Sequence, residues 1–235
     1  MKKRIVALLP IKANSERVKG KNFKNFNGKP LFRWVLDSLL NVDCIDEVII
    51  NTDARSLLRK HGLVENNRVK IRDRKKSICG DIVSMNRIIA DDIENVKADI
   101  YLMTHTTNPL LSSDTIQKAI SLFQEKYKKG KADSLFTVNK IKSRFYKLDG
   151  TPINHNLNNL IPTQELEPWY EENSNIYLFT RDSFFKTHAR IGLNPILFET
   201  PYLESIDIDT EDEWHSATTA HEYKKKLSGD KSNAK

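Results

Sequence analysis

Short apolar runs and longer amphipathic ones take turns along most of the chain. Strand-like runs cover Arg4–Leu9, Glu47–Ile50, Val69–Ile71, Asp99–Thr104 and Ser134–Val138. Between them, Leu31–Leu40, Ala54–His61, Ile82–Ile93 and Asp114–Tyr127 repeat apolar residues near 3.6-residue spacing and predict helices. This alternation predicts an α/β fold, a mostly parallel twisted sheet with helices on both faces. In the first helix Pro30 suits the first turn, Leu31, Trp34, Val35 and Leu39 form the buried stripe, and Asn41 is a stop. In the helix from Asp114, residues Ile116, Ala119, Ile120 and Phe123 share one face. Its last turn carries Lys126, Lys128 and Lys129, which complement the helix dipole, before Gly130 ends it.

The rhythm breaks from Asn139 to Asn173, a polar stretch with Pro152, Pro162, Pro168 and four asparagines at 154, 156, 158 and 159. It reads as an excursion from the sheet, either a mobile loop or an arm that packs on something else. Strand signals return at Ile176–Phe179, Pro195–Phe198 and Leu203–Ile206, and Thr210 opens a final helix to about Lys226. The expected organisation is a core of residues 1–138 and 174–227, an inserted arm at 139–173 and a disordered tail at 228–235.

Composition narrows the class. A chain of 235 residues, 39% apolar and 29% charged, is long enough for one domain with a real core, which excludes a fibrous or largely disordered protein. Lys and Arg outnumber Asp and Glu by 38 to 31, and the net charge of +7 suits a polyanionic partner: nucleic acid, an anionic membrane face or a nucleoside triphosphate. No stretch approaches the roughly 20 apolar residues of a membrane helix. The apolar run after Lys2, Lys3 and Arg4 is cut by Pro10 and Lys12, so it reads as a strand and not a signal peptide, and a cytoplasmic location is expected by elimination. Cys44 and Cys79 read as ordinary thiols.

Three segments carry candidate chemistry. The first follows the first strand: Pro10, Lys12, Ala13, Asn14, Ser15, Glu16, Arg17, Lys19, Gly20, Lys21 and Asn22 make a long basic loop where open α/β sheets bind ligands. Small residues there permit close backbone approach, and Lys and Arg neutralise phosphate oxygens. It is not a P-loop, since Ser15 and Asn22 stand where that template needs Gly and Ser or Thr, and no GxGxxG is present. A solvated lysine-rich connection is the bland alternative. The second segment is Ser205-Ile206-Asp207-Ile208-Asp209-Thr210. Strand alternation puts Asp207 and Asp209 on one side, a costly pairing unless a hard cation such as Mg2+ neutralises it. Helix capping by Asp209 or Thr210 competes with that reading and leaves Asp207 unexplained. The third, His105-Thr106-Thr107-Asn108-Pro109, gathers an imidazole, hydroxyls and an amide at the exit of a central strand, although Thr, Asn and Pro are also ordinary turn formers.

Together these segments resemble the acylneuraminate cytidylyltransferase family, with Pro10, Lys12, Ser15, Lys21 and Asn22 standing in its first-loop pattern. His105 to Leu110 is similar to its Q-P-T-S-P-L stretch, Arg74 to Asp81 to its R-P-x-x-L-(x)n-D segment, and Asn173 to Tyr177 to its N-G-A-I-Y strand, while its S-I-D-I-D-T is intact here. The resemblance implies a Rossmann-like, glycosyltransferase-A-like nucleotidyltransferase with a small dimerisation arm. It implies that CTP activates a nonulosonic 2-keto sugar acid, giving a CMP-sugar and pyrophosphate. Lys21 and Asp209 become the catalytic candidates. Lys12, Ala13, Asn14, Ser15, Arg17, Asn22, Arg74 and Asp81 would bind the nucleotide, and Asp207 with Asp209 would hold Mg2+. His105, Thr106, Thr107, Asn108, Asn173 and Tyr177 would bind the acid, with Lys142 and Arg144 reaching a partner's substrate in a homodimer. An octulosonic acid or a sugar phosphate is the alternative acceptor, because His105 and Asn108 depart from the family's usual residues. A non-catalytic nucleotide or RNA binder is the alternative class, but only Phe23 and Phe26 lie near the basic loop to stack on bases, so nucleic acid is not the expected partner.

Overall fold

A computed structural model describes residues 2–230. In chain order, β1 (Ile5–Leu8) leads through the first loop to a small hairpin, β2 (Asn25–Phe26) and β3 (Lys29–Pro30). Next come α1 (Leu31–Leu40), β4 (Glu47–Thr52), α2 (Arg55–Lys60), β5 (Val69–Asp73), α3 (Met85–Asn95), β6 (Ile100–Met103) and α4 (Ser113–Lys128). The second half holds β7 (Ser134–Ile141), β8 (Trp169–Phe179), α5 (Arg181–Thr187), β9 (Pro195–Glu199) and α6 (Glu211–Asp230).

Seven strands form one sheet in the order β5-β4-β1-β6-β8-β7-β9. All pairings are parallel except those of β8, which runs against both β6 and β7. The central strands β1 and β6 are buried along their whole length, as expected when both sheet faces are covered. On one face α1, α2 and α4 bury Phe32, Leu36, Leu58, Ile120 and Phe123 against Ile5, Ala7, Val48, Leu102 and Leu178. On the other, Ile89 and Ile93 of α3 and Phe184 of α5 pack on Val6, Leu8, Tyr101 and Phe179. A third cluster joins Phe26, Leu31, Val18, Ile208 and Trp214, so the hairpin, the first loop and α6 share one apolar patch. Among the described residues no helix is long and apolar enough to cross a membrane.

Several expectations are corrected. Leu203–Ile206 is no strand: Tyr202–Ser205 is a single 3-10 turn after Pro201, held because Asn175 Nδ2 donates to Glu204 O at 2.8 Å and the Glu204 carboxylate accepts from Ser112 N at 3.0 Å. The helix expected from Ile82 begins at Met85, capped by Ser84, and Ile82 is fully exposed. The first loop contains the β2–β3 hairpin, whose turn residues Asn27 and Gly28 have φ of 46° and 103°, the positive values a tight hairpin turn demands. Helix α5 was unforeseen; it opens on a capping box in which Thr180 and Ser183 bond each other's backbone N–H. The excursion narrows to residues 142–168, since Asn139 to Ile141 lie in β7 and Trp169 to Asn173 in β8. It is ordered by its own bonds, including Ile153 N to Phe145 O at 2.9 Å and a parallel stack of Phe145 on Trp169 at 4.9 Å. The tail expected at 228–235 is helical through Asp230, and 231–235 lie outside the described residues.

Thr210 accepts from Glu213 N at 3.2 Å while Glu213 Oε2 accepts from Thr210 N at 2.8 Å, so Thr210, not Asp209, caps α6. Thr210→Ala is expected to lower stability by about 1 kcal/mol in urea unfolding, the usual worth of such a cap.

Candidate functional site

The loops at the carboxyl ends of β1, β5 and β6, together with the segment before α6, enclose a cavity of about 480 Å³. Lys12, Ser15, Arg17, Lys21, Asn22, Arg74 and Asp81 line one part of it, and His105, Thr106, Thr107, Asp207 and Asp209 line the rest. Sequence reasoning therefore brought most of its candidates to one place.

Lys21 is the structural centre of the basic side. It follows Gly20, whose φ of 61° turns the loop into a short 3-10 turn, and its side chain is only 9% exposed. Its ammonium donates to Ile208 O and to Asp209 Oδ1, the latter at 3.0 Å. Arg17 takes the other oxygen of Asp209 at 2.9 Å. Burial opposes ionisation of Asp209, yet Lys21 and Arg17 outweigh it and hold its pKa below the ordinary value. Asp207 is supported less well: burial, with the neighbouring Asp209, pushes its pKa up against the pull of a Thr107 hydrogen bond and the Lys21 cation, and among the described residues its buried Oδ1 has no hydrogen-bond partner. A buried carboxylate oxygen without a donor is costly and suits a cation. The segment 206–209 is extended but pairs with no strand. Ile208 is fully buried as alternation predicts and Ile206 only half-buried, and both carboxylates face the same cavity.

The first loop is fixed from below. Asn22 Nδ2 donates to Lys12 O at 2.8 Å and Asn22 Oδ1 accepts from Thr106 Oγ1 at 2.6 Å, which ties the loop to the exit of β6. Lys12 pairs with Asp81 at 2.7 Å and holds that carboxyl below its usual pKa. Ser15 Oγ lies in the cavity wall, buried and without a partner. Arg74 is held by Asn51, donating from Nε to Asn51 Oδ1 at 3.0 Å and from Nη2 to Asn51 O at 2.8 Å. Asn51 in turn donates to Asp92 at 2.8 Å, whose pKa burial lifts to about 6 although Asn51 and Arg72 pull it down. Ala13 and Asn14 do not line the cavity. Ala13 N donates to Asp53 at 2.7 Å and Asn14 is exposed.

On the other side, His105 Nε2 lies 3.4 Å from Arg190 Nη1. A guanidinium can only donate, so Nε2 accepts and the ring proton sits on Nδ1. Burial first, then the Arg190 cation, lower the His105 pKa to about 3. Asn108 is fully buried outside the cavity, where Nδ2 reaches Ile206 O at 3.4 Å and Thr107 O accepts from Ile208 N at 2.9 Å, so this turn positions the carboxylate strap. Asn173 is also buried, bonded to Asn139 at 3.0 Å and Thr200 at 2.7 Å, and it helps fix the β7–β8 crossover. Tyr177 is buried; its hydroxyl donates to Glu172, and its ring lies under Arg190 at 3.9 Å. Lys142 and Arg144 turn inward within the arm, donating to Gln164 O and, at 2.6 Å, to Ile161 O. Arg190, Glu172 and the Asn51–Asp92 pair were missed. Arg190 follows the unforeseen α5 and sat in no motif.

The cytidylyltransferase family profile matches residues 6–228. The 3-deoxy-manno-octulosonate cytidylyltransferase of Christiangramia forsetii is 27% identical over 124 residues; this takes in 53% of this chain and 47% of that enzyme, so the chain spans about half of that relative. The CMP-N,N'-diacetyllegionaminic acid synthase of Legionella pneumophila is 25% identical over 90% of this chain and 93% of its own. In fold, a solved CMP:2-keto-3-deoxy-manno-octonic acid synthetase complexed with CTP superimposes with a TM-score of 0.65 at 15% identity, covering 94% of this chain and 99% of that one. With the profile running through the first loop, the His105 turn and the Asp207–Asp209 strap alike, the chain belongs to the cytidylyltransferase family.

Proposed function

We propose that this protein transfers the cytidylyl group of CTP to the anomeric hydroxyl of a nonulosonic 2-keto sugar acid. The attacking oxygen forms a bond to the α-phosphorus and gives up its proton to solvent, the bond from that phosphorus to the bridging oxygen breaks, and pyrophosphate leaves with those electrons. The observation that carries this reading is one cavity with Lys12, Arg17, Lys21 and Arg74 on its phosphate side and a paired carboxylate strap facing them. The names of the relatives, which act on octulosonic and legionaminic acids, support the acceptor class.

Each group has a role that follows from its surroundings. Lys21 and Arg17 meet the triphosphate oxygens and neutralise the charge that gathers on the leaving pyrophosphate. Ser15 Oγ and the amide of Asn22 offer polar contacts beside them. Asp207, with its partnerless buried oxygen, and Asp209 would hold Mg2+, which needs only one or two carboxylates when phosphate and water complete its shell. Bound there, the ion would polarise the α-phosphate and acidify the attacking hydroxyl. His105 is too weakly basic to accept that proton near neutral pH, and it serves as a neutral hydrogen-bond donor through Nδ1.

The arm supports a homodimer. Leu148, Ile153, Leu157, Leu160 and Tyr170 are all large, apolar and exposed on or beside it, more apolar surface than a solvated loop needs.

Asp209→Asn is expected to cut magnesium-dependent pyrophosphate release from CTP by about 100-fold or more, the scale of losing a group that stabilises transition-state charge. Melting curves check that the protein still folds, and normal turnover would remove the carboxylate assignment. The low pKa of His105 sets a sign for stability. The unfolded ring takes a proton near 6.5 and the folded ring only near 3, so its contribution is complete above about pH 6.5 and is lost as pH falls toward 3. His105→Gln is expected to flatten that acid slope in unfolding free energy measured between pH 7 and 4. Leu148→Glu combined with Leu160→Glu is expected to give monomers in sedimentation experiments at concentrations where the parent chain sediments as a dimer.

A further inference from the structure

We infer that Arg190 binds the carboxylate of the acceptor and so makes this protein prefer acids to acceptors that lack that charge. The inference rests on the proposed reaction and assigns its acceptor side to a residue of this same chain. Arg190 lines the main cavity and also the adjoining cleft of about 370 Å³, where Ser84, Asn86 and Glu172 are neighbours.

The guanidinium is held in place before any ligand arrives. Its face lies 3.9 Å from the centre of the Tyr177 ring, Nη2 is 3.2 Å from Glu172 Oε1, and Nη1 is 3.4 Å from His105 Nε2. Those contacts engage two of its five N–H groups. Glu172 is itself fixed by the Tyr177 hydroxyl. The loop behind is pinned as well: Asp133 accepts from Leu193 N at 2.8 Å and Asn194 N at 2.9 Å, and Ser134 Oγ accepts from Gly192 N at 2.8 Å. A Cβ at Gly192 would run into the Asp133 carboxylate, which would have to shift out of its bonds to this loop. A planar fork fixed by packing loses little entropy when it grips a carboxylate.

Position and charge point to the same ligand. In a 2-keto sugar acid the carboxylate is bonded to the carbon that carries the attacking hydroxyl, so its receptor must sit beside the point of attack. Arg190 touches His105, and His105 is near enough to Asp209 and Lys21 for both to act on its ionisation. The other cations lie apart from this end of the cavity: Lys12, Arg17, Lys21 and Arg74 are on the side assigned to the triphosphate, and Lys142 and Arg144 donate to carbonyls of the arm. Glu172, the counter-ion of Arg190 among the described residues, has a side chain 41% exposed and engages one edge of the guanidinium, leaving the remaining N–H groups to an incoming carboxylate.

The test is steady-state pyrophosphate release by the full chain with CTP, magnesium and a panel of nonulosonic and octulosonic acids, each paired with its C1 amide. For Arg190→Ala the KM for the acid should rise at least about tenfold while the KM for CTP stays within about twofold, as expected for losing one charge-assisted contact to one substrate. The preference for acid over amide should shrink in that variant and return in part with Arg190→Lys. Loss of packing alone would not erase the acid preference. Turnover with that preference intact in Arg190→Ala overturns the assignment and leaves the proposed function standing. No turnover by the parent chain with any acid overturns both.

Discussion

One buried ammonium holds the two ends of this fold together. Lys21, near the start of the chain, and the Ile208 carbonyl with Asp209, near its end, are almost the whole sequence apart, yet they share a hydrogen-bonded ion pair whose cation is nearly cut off from water. A charge in that position must be paired or it is prohibitively costly. The pairing therefore dictates where the strap before α6 lies, and Val18, Ile208 and Trp214 pack around it as one apolar cluster. Because the strap lies there, Asp207 is pressed into the same pocket with an oxygen that none of the described residues satisfies.

From that constraint the cavity divides naturally. The first loop, tied down by Asn22 to Lys12 and Thr106, presents cations. The β6 exit, β8 and the loop after α5 present an imidazole, a carboxylate and a guanidinium to one another. The two halves meet only at the strap and at the His105 turn, where Thr107 and Asn108 bond the backbone of residues 206 and 208.

The sheet was legible because period-2 and period-3.6 patterns do not blur when strands are wholly apolar, as β1 and β6 are, and helices carry a clean stripe, as α1 and α4 do. The basic loop was legible because it sits at a strand exit, and the paired aspartates because two carboxylates one residue apart share a side of an extended segment. Failures came where tertiary bonds overrode local pattern. Leu203–Ile206 looks like a strand, but no sheet edge receives it and the Glu204 carboxylate is bonded to Ser112 and Lys224. The Asn27-Gly28 turn carried a standard hairpin signal that the surrounding lysines obscured. Tyr177 was placed near the acceptor by likeness alone; its ring is a platform under Arg190, a relation that no spacing along the chain encodes. Asn173 and Asn108 are polar residues in promising motifs whose bonds turn out to be architectural.

The reversed direction of β8 has one more consequence. Since β7 runs with the parallel strands and β8 returns against them, the chain between Ile141 and Trp169 leaves and re-enters the sheet at a single place, on the same end as the cavity. Such an outgrowth can lengthen, shorten or be exchanged without disturbing the register of any strand. The scaffold can thus change its outgrowth while the cavity at the strand ends stays as it is.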